Sequence, residues 1–195
     1  RLTCCMEFHL DNIIGKSKAL RDVLNLVKKV ANTQATVLIT GASSGIGKAT
    51  AWKLAEAGAN VVTIARDKEQ LDEVVKAFEA AGLKLHAYVG DLADMVSTEA
   101  VVQQIMAEHG VVDVLINNAG MHQFASSVDA DLEMWDAMLN VNLRAVMPAT
   151  RLSLPHIIAG TQRGQRGAVI FMSSLGGKFS APTNAGYAAT KHALT

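Results

Sequence analysis

The stretch TVLITGASSGIGKAT, residues 36–50, runs from β-favouring residues through a cluster of glycine and serine into a segment of helical character. Two phosphate-holding turns begin in this way, and they part company after the strand. A loop for the β and γ phosphates of a nucleoside triphosphate needs G-x-x-x-x-G-K followed by Ser or Thr, because the lysine reaches the phosphates and the hydroxyl binds magnesium. Counting back from Gly47-Lys48, Ala42 stands where the first glycine belongs, and Ala49 follows the lysine. The spacing present is Gly41, Gly45, Gly47. A turn of that kind between a strand and a helix suits a pyrophosphate: glycine allows the tight bend and the close approach of backbone, and the positive end of the helix faces the charge.

Outward from this turn, short apolar runs alternate with longer stretches of helical periodicity. The runs after the first are NVVTIA (60–65), KLHAYVG (84–90), VDVLINN (112–118) and AVIFMS (168–173). Apolar residues recur every three or four positions between them, most extensively from Leu132 to about Ala159, and several helical stretches close on glycine, at Gly58, Gly82 and Gly110. Strands buried on both faces and joined by helices predict an α/β fold: a doubly wound parallel sheet of Rossmann type with about five strands. GTQRGQRG (160–167) reads as a surface loop before the fifth strand. Ahead of the first strand, residues 11–35 read as a helical segment in which Leu20, Val23, Leu24 and Val27 share a face and Ser17 is the N-cap. Residues 1–10 read as a disordered leader, with Met6 a candidate start.

With 195 residues, 50% hydrophobic, and 18 basic against 18 acidic side chains, the composition is that of one globular domain. Zero formal net charge gives no basic footprint for a nucleic acid or an anionic membrane, which leaves small-molecule chemistry as the expectation. No apolar run is long enough to span a bilayer. The two cysteines, Cys4 and Cys5, are adjacent, so they offer neither a disulfide framework nor a spaced metal site, and a reducing, cytoplasmic setting fits. His122, His156 and His192 stand at no metal-ligand spacing and read as structural or surface residues; Met134, Met138 and Met147 read as packing.

From residue 36 onward the sequence resembles the short-chain dehydrogenases/reductases. The likeness is carried, in order, by TGASSGIG (40–47), DLAD (91–94), NNAG (117–120), Asn142 in NVNLRAV, Ser174 in MSSLGG and YAATK (187–191). It implies that Gly41, Ser43, Ser44, Gly45, Ile46 and Gly47 hold the pyrophosphate and adenosine ribose of a nicotinamide dinucleotide. It further implies that Asp91 bonds the adenine amino group with Leu92 beside the ring, and that Asn118, Ala119 and Gly120 line the nicotinamide-side ribose. The second strand ends in Ala65-Arg66-Asp67, so an arginine follows the position where a carboxylate would accept a ribose 2′-hydroxyl. A guanidinium forks onto a 2′-phosphate, which favours NADP(H) over NAD(H), with Asp67 keeping the second open.

Tyr187 and Lys191, four residues apart on an expected helix, share one face. By the resemblance Tyr187 exchanges a proton with an alcohol or carbonyl substrate, and Lys191 lowers the phenol's pKa and binds the ribose hydroxyls. Shifting a phenol from about 10 to near neutrality takes about 4 kcal/mol. A cation about 4 Å away at an effective dielectric near 20 supplies about that much. Ser174 would bond the same substrate oxygen, and Asn142 would anchor a water linking Lys191 to solvent.

The family continues well past the equivalent of Thr195, through further strands and a substrate lid. The resemblance therefore implies a dinucleotide-binding domain, 36–195, incomplete at its C-terminus; were these residues the entire molecule, weak cofactor binding, slow or no turnover and an exposed fifth strand would be expected. It also implies a homodimer through the long fourth helix and the Tyr187 helix. Residues 12–41 are similar to the entrance of the AAA+ domain of bacterial enhancer-binding activators, which raises a chimera as an expectation. A non-catalytic nucleotide-binding fragment and an ATP-binding module are the alternatives.

Overall fold

A computed structural model describes residues 35–162, 164 and 167–195. The leader, the N-terminal helical segment and most of the AAA+-like stretch lie outside them.

The glycine turn joins β1 (Thr36–Thr40) to α1 (Gly45–Glu56). The chain continues through β2 (Asn60–Ala65), α2 (Lys68–Ala80), β3 (Leu85–Val89), α3 (Met95–His109) and β4 (Val114–Asn117). It then passes through α4 (Leu132–Leu139), a π turn (Asn140–Arg144), α5 (Val146–Gln162), β5 (Ala168–Phe171), a 3-10 turn (Leu175–Gly177) and α6 (Ala185–His192). The five strands form one parallel sheet in the order β3-β2-β1-β4-β5, with Leu38 of β1 opposite Val62 and Leu115. The doubly wound parallel sheet expected from the sequence is present.

Pleating sends alternate residues of β1 to opposite faces. Val37 and Ile39 enter a core with Val61, Leu54 and Phe78; Leu38 joins Val62, Ile64, Ile105 and Leu115 on the other side. This double burial is why the strands carry unbroken apolar runs. Helix α2 forms because Leu71, Val74 and Phe78 line one face, and Asp67 caps it by accepting from the Gln70 amide at 3.0 Å. Asp94 and Asp131 cap α3 and α4 in the same manner.

Two readings need correction. The segment 160–167 is helical as far as Gln162, so the loop is shorter than expected. The long fourth helix is interrupted: the Ala145 amide donates to the Asn140 carbonyl at 2.9 Å, five residues back. One extra residue in a turn rotates the downstream helix about its axis, and such π turns concentrate where a side chain must be aimed. Here that side chain is Asn142, fully buried. Periodicity from Leu132 onward gave no warning, because apolar spacing tolerates one inserted residue.

Candidate active site

The chain reverses direction across the sheet between β1 and β4, and a cleft of about 440 Å³ opens at their C-terminal ends. That is where ligands enter doubly wound folds. Every cofactor position expected from the sequence between Gly41 and Gly120 lines it. Gly41, with φ of 70°, donates its amide to the Ile64 carbonyl at 2.8 Å, and a Cβ there would sit 2.9 Å from Ala119 Cα. At Gly47 a Cβ would lie 2.4 Å from both Asn118 Nδ2 and the Gly41 carbonyl oxygen. The glycines at these two positions are thus set by close backbone approach.

Ser44 occupies the N-cap of α1 with extended backbone and no capping bond from its side chain. The helices that come after β2, β3 and the β4 loop have capping aspartates; α1 has no side-chain cap, and Ser43 to Gly47 line the cleft. A helix start with positive partial charge and uncommitted donors fits a pyrophosphate.

The cleft's other walls have specific supports. Asn118 donates through Nδ2 to the Thr40 and Gly41 carbonyls at 3.1 and 3.0 Å, so its side chain clamps the glycine turn. Thr40, which no sequence motif singles out, accepts at its hydroxyl from the amides of Asn118 and Ala119 at 3.0 and 3.1 Å. Asp91 accepts from the Ala93 amide at 2.9 Å and shapes the loop beside Leu92. Arg66 lines the cleft, whereas Asp67 is turned to the start of α2 as its cap.

Next to Gly120 the cleft meets the second constellation. A Cβ on Gly120 would lie 3.3 Å from Lys191 Nζ and 3.4 Å from Asn142 Oδ1. Lys191 is 3% exposed and donates to the Met172 carbonyl at 2.7 Å; burial holds its pKa below the usual lysine range. Its Nζ lies 5.8 Å from the centroid of the Tyr187 ring. The Tyr187 ring edge and Ser174 Oγ flank Gly176 from two sides, at 3.1 and 3.6 Å from where its Cβ would stand. Ser174 Oγ accepts from the Gly176 amide at 3.1 Å, and neighbouring Ser173 donates to the Lys191 carbonyl at 2.8 Å, fastening α6 to the end of β5. Lys191 and Asn142 thus meet beside Gly120, and Tyr187 and Ser174 beside Gly176.

The Asn142 side chain bonds two separate elements. Its Nδ2 donates to the Met121 carbonyl and Thr190 Oγ1 at 2.9 and 3.0 Å, and its Oδ1 accepts from the Met121 amide at 2.7 Å. Through these bonds the amide pins the β4 loop to α6. His122 is exposed, as expected, and its ring also stacks on Tyr187 at 4.2 Å between centroids. Met147 is 67% exposed on α5, and its reading as a packing residue is corrected. Among the described residues no group of three His, Cys, Asp or Glu side chains could hold a metal, and no helix is long and apolar enough to cross a membrane.

A five-stranded parallel sheet with flanking helices and a glycine turn at its switch point defines a Rossmann-type α/β fold. The short chain dehydrogenase family model matches residues 35–195, and the chain belongs to that family. The chain is 39% identical over 154 residues to a 3-oxoacyl-(acyl-carrier-protein) reductase, FabG, of Thermotoga maritima, covering 79% of this chain and 61% of that protein. A metagenomic short-chain oxidoreductase solved in complex with NADP superposes with a TM-score of 0.77 at 38% identity, over 84% of this chain and 73% of the other. A gluconate 5-dehydrogenase of Burkholderia cenocepacia, solved with NADP and tartrate, gives 0.76 at 32% identity, over 87% and 65%. The chain thus spans less than two thirds of the length of the Thermotoga reductase. The likeness to AAA+ activators finds no support in these comparisons.

Proposed function

We propose that residues 36–195 form the dinucleotide-binding and proton-handling part of an NADP(H)-preferring oxidoreductase that interconverts a secondary alcohol and a ketone. The observation that carries this reading is the meeting of Tyr187, Ser174 and buried Lys191 beside a cleft whose far end holds Arg66. When bound, the nicotinamide supplies or takes the hydride. The α1 amides and the hydroxyls of Ser43 and Ser44 bind the pyrophosphate and adenosine ribose, and Ile46 covers them. Asp91 and Leu92 hold the adenine, and Arg66 forks onto the 2′-phosphate. Ala119 and Gly120 leave room for the second ribose, with Asn118 holding the turn in shape and Lys191 bonding its hydroxyls. Ser174 orients the substrate oxygen, and Tyr187 gives it a proton as the carbonyl carbon gains hydride, or takes the proton back in oxidation. Asn142 keeps the Gly120–Met121 loop and α6 in register.

Asp67 adds weight to this preference: one of its oxygens accepts from the Gln70 amide, which draws the carboxyl towards the start of α2. A cytoplasmic location and a homodimer belong to the same reading. Met147, Leu154 and Ile158 form an exposed apolar stripe on α5, 67%, 40% and 47% accessible, of the kind a second copy covers.

The test is an equilibrium titration with NADPH, NADH and Mg-ATP, repeated on Arg66→Ala. Loss of charge-assisted bonds worth about 1.5–3 kcal/mol should weaken NADPH roughly 10- to 100-fold and leave NADH nearly unchanged. Equal affinity of the parent chain for NADPH and NADH would overturn the preference, and tighter binding of Mg-ATP would favour an ATP module. Saturable NADPH binding with no turnover on any ketone would mark a non-catalytic fragment.

A further inference from the structure

Proton transfer in the reductase reading above, on which this inference rests, needs the Tyr187 hydroxyl held in one place. Among the described residues that hydroxyl has no hydrogen-bond partner; only the backbone carbonyl of Tyr187 is engaged by a side chain, accepting from Thr190 Oγ1 at 2.7 Å. The aim of a half-buried phenol is then set by what touches its ring. Lys191 does not hold it: its Nζ is committed to the Met172 carbonyl and lies 5.8 Å from the ring centroid, so the lysine acts on the phenol through charge.

Two contacts remain. The His122 imidazole lies on the phenol at 4.2 Å between centroids and 22° between planes, close to parallel. Gly176 bounds the Cδ1–Cε1 edge, where a Cβ would stand 3.2 and 3.1 Å from those carbons. The imidazole is backed in turn by Phe124, 4.0 Å away at 40°. Stacked rings at such separations attract one another beyond the area they bury.

The stretch that presents His122 is fastened at both ends to the part of the chain that carries Tyr187. On one side the Asn142 side chain bonds both the amide and the carbonyl of Met121, and it also donates to Thr190 Oγ1 on α6. On the other, the Ala125 amide donates to the Thr183 carbonyl at 3.1 Å, four residues before Tyr187. An exposed side chain ordinarily samples its rotamers within nanoseconds. Here the backbone is anchored on either side of a ring that lies between a phenol and a phenyl group.

We propose that His122 is a positioning residue for proton transfer: its flat ring, and not its nitrogens, fixes the Tyr187 side chain in one rotamer. Misplacing a reacting group by about 1 Å can cost ~100-fold in rate, so the stack bears on catalysis without touching the substrate.

The test compares the 195-residue chain, with NADPH present, with His122→Ala, His122→Phe and His122→Gln. Three-bond NMR couplings from the backbone nitrogen and carbonyl carbon to Cγ of isotope-labelled tyrosine report the χ1 populations of Tyr187. The chain has two tyrosines, and Tyr88→Phe assigns the signals. The parent and His122→Phe should show one rotamer, His122→Ala and His122→Gln averaged couplings. Hydride transfer from NADPH to ethyl acetoacetate, followed in a single turnover, should slow about tenfold in His122→Ala and His122→Gln and return to within about twofold of the parent in His122→Phe. NADPH affinity should be the same in every variant, since His122 does not line the cofactor cleft. Single-rotamer couplings in His122→Ala, or an undiminished hydride-transfer rate there, would overturn the inference. Rescue by glutamine and not by phenylalanine would also overturn it, by giving the role to a hydrogen bond. A parent chain that failed to bind NADPH would remove the reductase reading, and the couplings, which need no turnover, would still decide whether the stack holds the ring.

Discussion

Replacing Gly47 with alanine puts the logic of the glycine turn to a direct test. The added methyl would lie 2.4 Å from Asn118 Nδ2 and 2.4 Å from the Gly41 carbonyl oxygen, well inside contact distance. One of these is backbone and cannot swing aside, so the turn must open or Asn118 must leave. If Asn118 leaves, two hydrogen bonds go with it, at about 0.5–1.5 kcal/mol each. Residual crowding in a packed site costs typically ~1–3 kcal/mol. Alanine recovers up to about 1 kcal/mol of helix propensity over glycine. The net destabilisation should be on the order of 3 kcal/mol, read as a lowered urea midpoint at unchanged slope. Gly45→Ala is the control. Its φ is 55° but nothing lies within 4 Å of the new methyl, so only the left-handed backbone penalty of about 1–2 kcal/mol applies. If Gly47→Ala proved as stable as the parent, or less damaging than Gly45→Ala, the contact-based account of this turn would be wrong.

Two other expectations rest on buried or bonded polar groups. Asn142→Ala strips partners from the Met121 amide, the Met121 carbonyl and the Thr190 hydroxyl, and should cost on the order of 2–4 kcal/mol in denaturant unfolding; a change within about 0.5 kcal/mol would show the clamp to be dispensable. Burial, the hydrogen bond to Glu108 and that residue's negative charge push Tyr88 up to about 12. Its folded value lies above the unfolded one near 10, so whatever Tyr88 contributes to stability is fully present below pH ~10 and declines as pH climbs towards ~12. With only two tyrosines in the chain, phenolate absorbance should show a late step near that pH which Tyr88→Phe abolishes and Glu108→Gln moves downward; a late step that survives Tyr88→Phe contradicts the assignment.

Local spacing explains what could be read without coordinates. Continuous Val/Ile/Leu runs state that both faces of a strand are covered, and the three glycines state that backbone comes close to backbone or ligand. Tyr187 and Lys191 share one helical face by their spacing of four, and only the family resemblance marks that pair for proton transfer. The partners that shape the site gave no such signal. Thr40 bonds Asn118 and Ala119 across 78 and 79 residues, and Asn142 reaches Met121 and Thr190 across 21 and 48. His122 looked like any exposed histidine until the fold laid it on Tyr187.

The amino-acid sequence by itself determined the alternation of strand and helix and the glycine spacing that departs from a triphosphate loop. Each of these is written in periodicities and spacings shorter than one helix. Only the tertiary structure decided that Asn118 and Asn142 act as clamps, that Asp67 is engaged as a cap while Arg66 keeps its place at the cleft, and that an aromatic stack leads outward from Tyr187. Those outcomes depend on loops from distant strands meeting at one edge of the sheet, and hydrogen-bond competition there is settled by three-dimensional distance, which no local pattern encodes.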